Sequence, residues 1–317
     1  MRASLRRANA EFSMRSGVIL ILLSMSLTPI GDALSKQLGQ SQSPIFIVFL
    51  RYFTAGMIAL LLARIGGIRV SLPDRGRAGL FIRTALVIGA MSMLIAALSM
   101  IPLANAVGGF LIAPIIATLI AVFWFHERLT LPRIIGCLLS FGGALLILRP
   151  GAGVEVGMFY ALAGGVLLGA FLATTGSSSS RCHPVSALAV QCLLGSALLL
   201  PLALPHFDGM TLDLLLPGLG LGMVTAATHF LTVAAYQRAE AAKLAPFFYF
   251  NLVAAVVVGL VWFQEIPNWL TIGGLALIVS GGLVSLARES LLMRLLTGLG
   301  MRVPDADATV PATIRRI

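Results

Sequence analysis

Charge is what this sequence lacks most. Only 11% of its 317 residues are Asp, Glu, Lys or Arg, against about 25% in a soluble domain. Too few charges are present to build a water-facing surface, so a soluble globular class is excluded. Acidic residues are the scarcer sign, 12 against 22 basic. The net charge of +10 does not indicate nucleic acid, because basic and aromatic residues do not interleave as they do on such a face. Cysteine is rare: Cys137, Cys182 and Cys192 have no metal-ligand spacing and imply no disulfide framework. Enzyme signatures are missing as well. The HER at 126–128 lacks the second histidine of HExxH. No P-loop, Rossmann fingerprint or GxSxG occurs. No cofactor or metal is implied, and the chain is read as a non-enzyme.

What remains is 58% hydrophobic, with a mean hydropathy of +0.99. It is arranged in ten apolar stretches near 17–38, 44–64, 78–100, 103–125, 131–148, 157–175, 184–204, 214–237, 243–263 and 268–287. Each has about the length of one bilayer crossing. The fold class expected is therefore all-α integral membrane, with ten transmembrane helices. Short loops with Pro, Gly or Ser breakers separate them, such as Ser43-Pro44 and Arg149-Pro150-Gly151. Basic residues sort to one side. With the N-terminus inside, 19 of the 22 Lys and Arg fall on the cytoplasmic side, which predicts both termini cytoplasmic in an inner (plasma) membrane protein. Residues 1–16 are read as a cytoplasmic N-terminal segment and 288–317 as a basic cytoplasmic tail. The first stretch is read as a span and not as a signal peptide.

An internal repeat divides the chain into 17–149 and 150–287. An ungapped slide of 138 residues gives 12 identities over 104–148. It lays Trp124-Phe125-x-Glu127 on Trp262-Phe263-x-Glu265, Gly136 on Gly274 and Gly143 on Gly281. Pro44 and Pro184 likewise open the second stretch of each half. Five spans per half is an odd number, so the two halves are inverted repeats, an architecture that recurs in secondary transporters.

These residues carry a resemblance. FWFHERLT with IIGCLLSFGGALLIL, and VWFQEIPNW with TIGGLALIVSGGLVSL, resemble the fourth and fifth helices of the drug/metabolite transporter superfamily, EamA-like branch. SPIFIVFLRYFTAG resembles its second helix, with the arginine at Arg51. The resemblance covers about 17–287. It implies a secondary transporter moving a small polar metabolite (amino-acid-, nucleoside- or vitamin-like) through a central cavity by alternating access. DALSK and TAATHFLTVAAYQRAEAAKLAPFFYFNL resemble the subset that includes riboflavin and S-adenosylmethionine carriers. A membrane-embedded enzyme and a non-transporting assembly factor are the rival classes. The partners expected are a small-molecule substrate and the lipid bilayer, with protons a candidate coupling ion. The oligomeric state stays open.

Ionisable groups inside spans are costly and face the bundle interior. Asp32 and Lys36 share one helix face, four residues apart. Counting along two antiparallel helices puts Asp32 and Arg51 at the same depth, roughly 10 Å below one boundary. An Asp32–Arg51 contact is predicted, with Lys36 just above. Two readings stand for it: a neutralised buried pair, or a site where a substrate carboxylate or phosphate exchanges partners with Arg51. In the other half, Gln191, His229, Tyr249 and Asn251 form a second polar layer toward the inside. His229 is read as a packing histidine or as a donor or proton site. The repeated Glu127 and Glu265, with Trp124 and Trp262, are read as structural. Each Glu is expected near the N-terminus of the helix that follows it, with Thr130 and Asn268 as N-caps. Gly165/Gly169 and Gly218/Gly222 are expected to allow close helix packing.

Overall fold

A computed structural model describes residues 2–72, 77–125, 131–148, 155–175, 184–207, 212–236, 238 and 245–285. These contain α-helices, two 3-10 turns and no strand. The helices are α1 (Arg2–Leu38), α2 (Pro44–Ile65), α3 (Arg77–Leu98), α4 (Leu103–Phe110), α5 (Ala113–Phe125) and α6 (Leu131–Leu148) in the first half. The second half has α7 (Val156–Thr175), α8 (Pro184–Ala203), α9 (Leu212–Tyr236), α10 (Phe250–Phe263) and α11 (Trp269–Ser285), with a 3-10 turn at Ala245–Tyr249 leading into α10. Among the described residues, seven segments are long and apolar enough to cross a membrane, including Arg15–Leu38 and Leu103–Ile120. Ile134–Ile147, Phe247–Phe263 and Trp269–Val284 are shorter apolar helices. Large apolar side chains such as Val261, Ile266 and Trp269 are more than three-quarters exposed. A monomer in water does not carry so much exposed apolar surface; lipid covers it.

One expected span differs. Residues 103–125 are not a continuous helix but break at Leu111 and Ile112. The cause is Pro114, which has no N–H to give to Phe110 O and disfavours helical geometry in the residue before it. The chain crosses the gap with a tightened turn, Ile112 N–H donating to Gly109 O at 3.3 Å. The 138-residue offset maps Leu111 onto Tyr249, where the 3-10 turn gives way to α10. Both halves thus interrupt the same helix at the same register. The first interruption leans on Gly165 and Gly169 of α7. A methyl group on Gly165 would fall 2.9 Å from Phe110 O, and one on Gly169 2.7 Å from Ala113 O. Gly218 and Gly222 of α9 do the same against Leu50 and Thr54 of α2. Both glycine pairs are points of close helix approach, as the sequence suggests.

The repeat is also visible in the packing. The four most extensive helix interfaces are α6 with α11, α2 with α8, α3 with α7 and α1 with α9. Under the repeat, α6 is equivalent to α11 and α2 to α8, so those interfaces are self-paired. The other two are images of each other. At the α6–α11 contact Gly143 meets Gly274, and Gly281 meets Gly136. The helices are therefore antiparallel. Ser140 Oγ donates to Ile278 O at 3.2 Å, and these residues are themselves 138 apart. A pseudo-two-fold axis passes through this contact.

Candidate functional site

The site begins with a tight link. After α1 the chain turns through Gly39–Gln42, with Gly39 N–H donating to Ser35 O and Gln42 N–H to Leu38 O, both at 2.9 Å. Ser43 caps α2, its hydroxyl accepting from Phe46 N–H at 3.2 Å, and Pro44 stands in the first turn, where its missing N–H costs nothing. This hairpin fixes the relative height of α1 and α2. It brings Arg51 Nη1 within 3.2 Å of Asp32 Oδ1, with side chains only 8% and 3% exposed. The count along two antiparallel helices predicts this contact.

Helix α9 covers the pair. Gly31, beside Asp32, leaves room for both Arg51 Nη2 and Val224. One turn further along α2, Thr54 Oγ1 donates to Leu50 O at 2.6 Å and lies 3.3 Å from Gly218 O. Toward the other end of α1, Ser24 Oγ donates to Thr228 O at 2.8 Å and sits 2.8 Å from Thr232 Oγ1. A polar strip thus runs along α1 against α9 and ends at the Asp32–Arg51 pair.

Lys36, one turn above Asp32, turns away from that pair. Its Nζ lies 2.6 Å from Glu265 Oε1, donates to Ile101 O at 2.6 Å and sits 5.3 Å above the Phe263 ring. The other carboxylate oxygen, Glu265 Oε2, accepts from Leu103 N–H at 2.7 Å. This corrects the reading of Glu265. The carboxylate does favour a helix N-terminus, but that of α4 in the first half, not that of the helix following it. Asn268 caps the following helix as expected, accepting from Thr271 N–H at 2.9 Å. The signal for this contact was present: Lys36 and Glu265 are opposite charges at the same end of the spans. Their partnership went unread because they are far apart in sequence.

Gln264 places Glu265. It adopts the left-handed conformation, φ 55°, the only non-glycine residue to do so among those described. Gln264 N–H then donates to Leu260 O at 3.1 Å and Glu265 N–H to Gly259 O at 3.0 Å. The carboxylate lies over this turn of α10, where a methyl on Gly259 would touch Glu265 Oε2 at 3.4 Å, an ordinary contact. Left-handed geometry costs an ordinary residue about 1–2 kcal/mol. Gln264→Gly should therefore leave the Lys36–Glu265 contact in place and stabilise the protein by up to about 1 kcal/mol, while Gln264→Val should destabilise it. Thermal unfolding in detergent checks both.

The residues expected on the inner side are not gathered in this way. Among the described residues, no hydrogen bond or ion pair links Gln191, His229 and Asn251. Gln191 is half-buried on α8. His229 is exposed, beside a hollow of about 20 Å³ between α2, α8 and α9 with apolar walls such as Ala59, Leu188 and Ala226. Tyr249 is buried against Gly282 of α11. Asn251 is half-buried in the first turn of α10, and its Oδ1 has no partner. Trp124 and Trp262 are exposed at the ends of α5 and α10, positions typical of aromatics anchored at a membrane interface. Glu127 and Thr130 lie outside the described residues.

A protein of known crystal structure superposes on this chain with a TM-score of 0.62 at 19% identity, covering 90% of this chain and 97% of that one. A riboflavin transporter of Vibrio cholerae serotype O1 is 27% identical over 241 residues, 74% of this chain and 79% of its own length. An S-adenosylmethionine uptake transporter of Rickettsia bellii is 22% identical over 274 residues, 86% of this chain and 94% of its own. The model of the EamA-like transporter family matches twice, over 15–149 and 155–287. Those two matches coincide with the repeat read from the 138-residue offset and take up most of the chain, which belongs to the EamA-like transporter family, within the drug/metabolite transporter superfamily.

Proposed function

We propose that this protein is a secondary transporter that carries a small polar metabolite across the plasma (inner) membrane by alternating access. It does so through ten crossings in two inverted halves. In this count α4 with α5, and the 3-10 turn with α10, each make one crossing. Both termini are cytoplasmic, so Lys36 and Glu265 lie at the outer end. The asymmetry of basic residues supports this orientation.

The observation that carries the reading is the Asp32–Arg51 pair. Two full charges lie buried in an apolar bundle, next to a polar strip between α1 and α9. Arg51 has five N–H donors in a planar fork, and Asp32 takes one of them. A substrate carboxylate or phosphate engages the others bidentately. The names of two relatives, carriers of riboflavin and of S-adenosylmethionine, support a vitamin- or nucleoside-like substrate with polar heteroatoms.

Uptake of labelled riboflavin, S-adenosylmethionine and a wider metabolite panel into proteoliposomes tests this. The expected result is saturable flux of at least one compound, competed by its own unlabelled form. Consumption of a compound without its crossing the bilayer would instead indicate an enzyme. Absence of flux for the whole panel would favour an assembly role.

A further inference from the structure

We infer that Lys36 and Glu265 form the gate that closes the transport path at their end of the bundle. This inference rests on the transporter reading. Two contacts bridge the halves there, Lys36 Nζ to Glu265 Oε1 at 2.6 Å and Leu103 N–H to Glu265 Oε2 at 2.7 Å. A third, Lys36 to Ile101 O, ties the same ammonium to the chain just before α4. All three meet one helical turn, roughly 6 Å, above Asp32. Leu98 at the end of α3 is fully buried, as are Ile101 and Leu103, whose backbone makes two of these contacts. A solute reaching Asp32 and Arg51 from this end has to part the carboxylate from both its partners.

The two ion pairs differ in a way that assigns their roles. Asp32 and Arg51 are 3% and 8% exposed, so separating them strands charge in a dry core. Glu265 and Lys36 are 21% and 13% exposed. Beside Glu265 is a hollow of about 40 Å³ whose walls include Asn105, Asn268 and Thr271. Part of its wall is polar, and it has room for water. Once apart, both gate charges are rehydrated from their own side. That makes this pair reversible, whereas the inner pair is fixed until a substrate replaces one partner.

The ending of α10 sets the aim of the gate carboxylate. Gln264 is the one described non-glycine residue held left-handed, and it lies next to Glu265 on the connection between α10 and α11. A left-handed residue is a common way for a helix to end, with N–H groups returned to carbonyls of the last turn, here Leu260 O and Gly259 O. Here it aims the carboxylate across the gap between the halves while the contacts hold.

The test is access to a buried thiol. Ala104→Cys, 6% exposed, follows Leu103 and lies on the wall of the hollow beside Glu265. Ala226→Cys, 5% exposed, lines the hollow near the other end. Both are made in a background with Cys137, Cys182 and Cys192 changed to alanine. Labelling with a membrane-impermeant maleimide is timed in sealed vesicles, from the side facing each thiol. Glu265→Gln should speed labelling at 104 by about tenfold or more, the shift expected from losing one charge-assisted contact, and should slow labelling at 226. Reversing the charges, Lys36→Glu with Glu265→Lys, should bring both rates only part of the way back, because the exchanged groups cannot serve Ile101 O and Leu103 N–H.

Faster labelling at both positions would mean general loosening and would overturn the gate. So would unchanged labelling at 104. If Glu265→Gln fails to reach the membrane, Lys36→Met with Glu265→Met removes both charges together and is read in the same way, with the same outcomes deciding. Labelling reports the gate without any substrate, so an absence of flux in the parent would strike the transporter reading separately.

Discussion

Arg51→Ala should abolish transport and destabilise the protein by about 3–5 kcal/mol, the cost of leaving one partner of a buried pair uncompensated. Asp32 would then sit 2% exposed, its Arg51 partner replaced only by water drawn into the core. The measurements are uptake in proteoliposomes and thermal unfolding in detergent. Loss of stability alone would fit a purely structural pair, so a second variant separates the roles. Asp32→Asn with Arg51→Met removes both charges and keeps similar volumes, and it should recover most of the lost stability. If Arg51 binds substrate, that double variant folds but does not transport. If it folds and transports like the parent, Arg51 is not a substrate residue and the central claim about this site is wrong.

The second large effect is expected at the pseudo-two-fold axis. A methyl on Gly143 would stand 2.5 Å from Gly274 O and 2.9 Å from Ile278 N. One on Gly281 would stand 2.5 Å from Gly136 O and 2.7 Å from Ser140 N, and would also meet Ser140 Oγ. Four of these neighbours, Gly274 O, Ile278 N, Gly136 O and Ser140 N, are backbone, so rotating a side chain does not relieve them. Helices α6 and α11 must move apart, which breaks the Ser140–Ile278 hydrogen bond. Each of Gly143→Ala and Gly281→Ala should cost about 1–3 kcal/mol, as overpacking does. The two values should be close to each other, because the sites are equivalent under the repeat. The double variant should cost less than the sum, since the first separation already makes room for the second methyl. Gly142→Ala on the same helix meets nothing within 4 Å and should be neutral or slightly stabilising, because alanine is the better helix former. Equal destabilisation at 142 and 143 would defeat the packing account. Thermal unfolding of the four variants decides it.

Both expectations began as sequence observations, and the structure altered them unequally. Asp32 and Arg51 met where counting put them because Ser43-Pro44 starts α2 immediately after a short turn, so local geometry alone sets the register. Gly143 and Gly281 were visible as repeated positions, but not as the points where α6 and α11 touch, against Gly274 and Gly136. Which helices of a bundle touch is a property of its three-dimensional packing. The break at Leu111 was encoded in Pro114, yet apolar composition over 103–125 reads as one span because a hydropathy pattern is indifferent to a missing N–H. The inner candidates Gln191, His229 and Asn251 were grouped by depth alone. Depth does not say which way a helix is rotated about its axis, and the structure distributes them over different packings.

By itself, then, the sequence determined the solvent, the repeat and the depth of each buried charge. These follow from composition, from residue identity at a fixed offset and from the rise of a helix, and none needs tertiary contacts. Only the tertiary structure decided which charges are partners across the halves. Lys36 had an obvious neighbour one turn below, in the Asp32–Arg51 pair, and took Glu265 instead, 2.6 Å away from the far half of the chain. Asp32 was already neutralised by Arg51, so the lowest free energy for Lys36 lay with a carboxylate that Arg51 does not hold, Glu265. That choice is made by packing α4 and α10 against α1, and no local pattern records it.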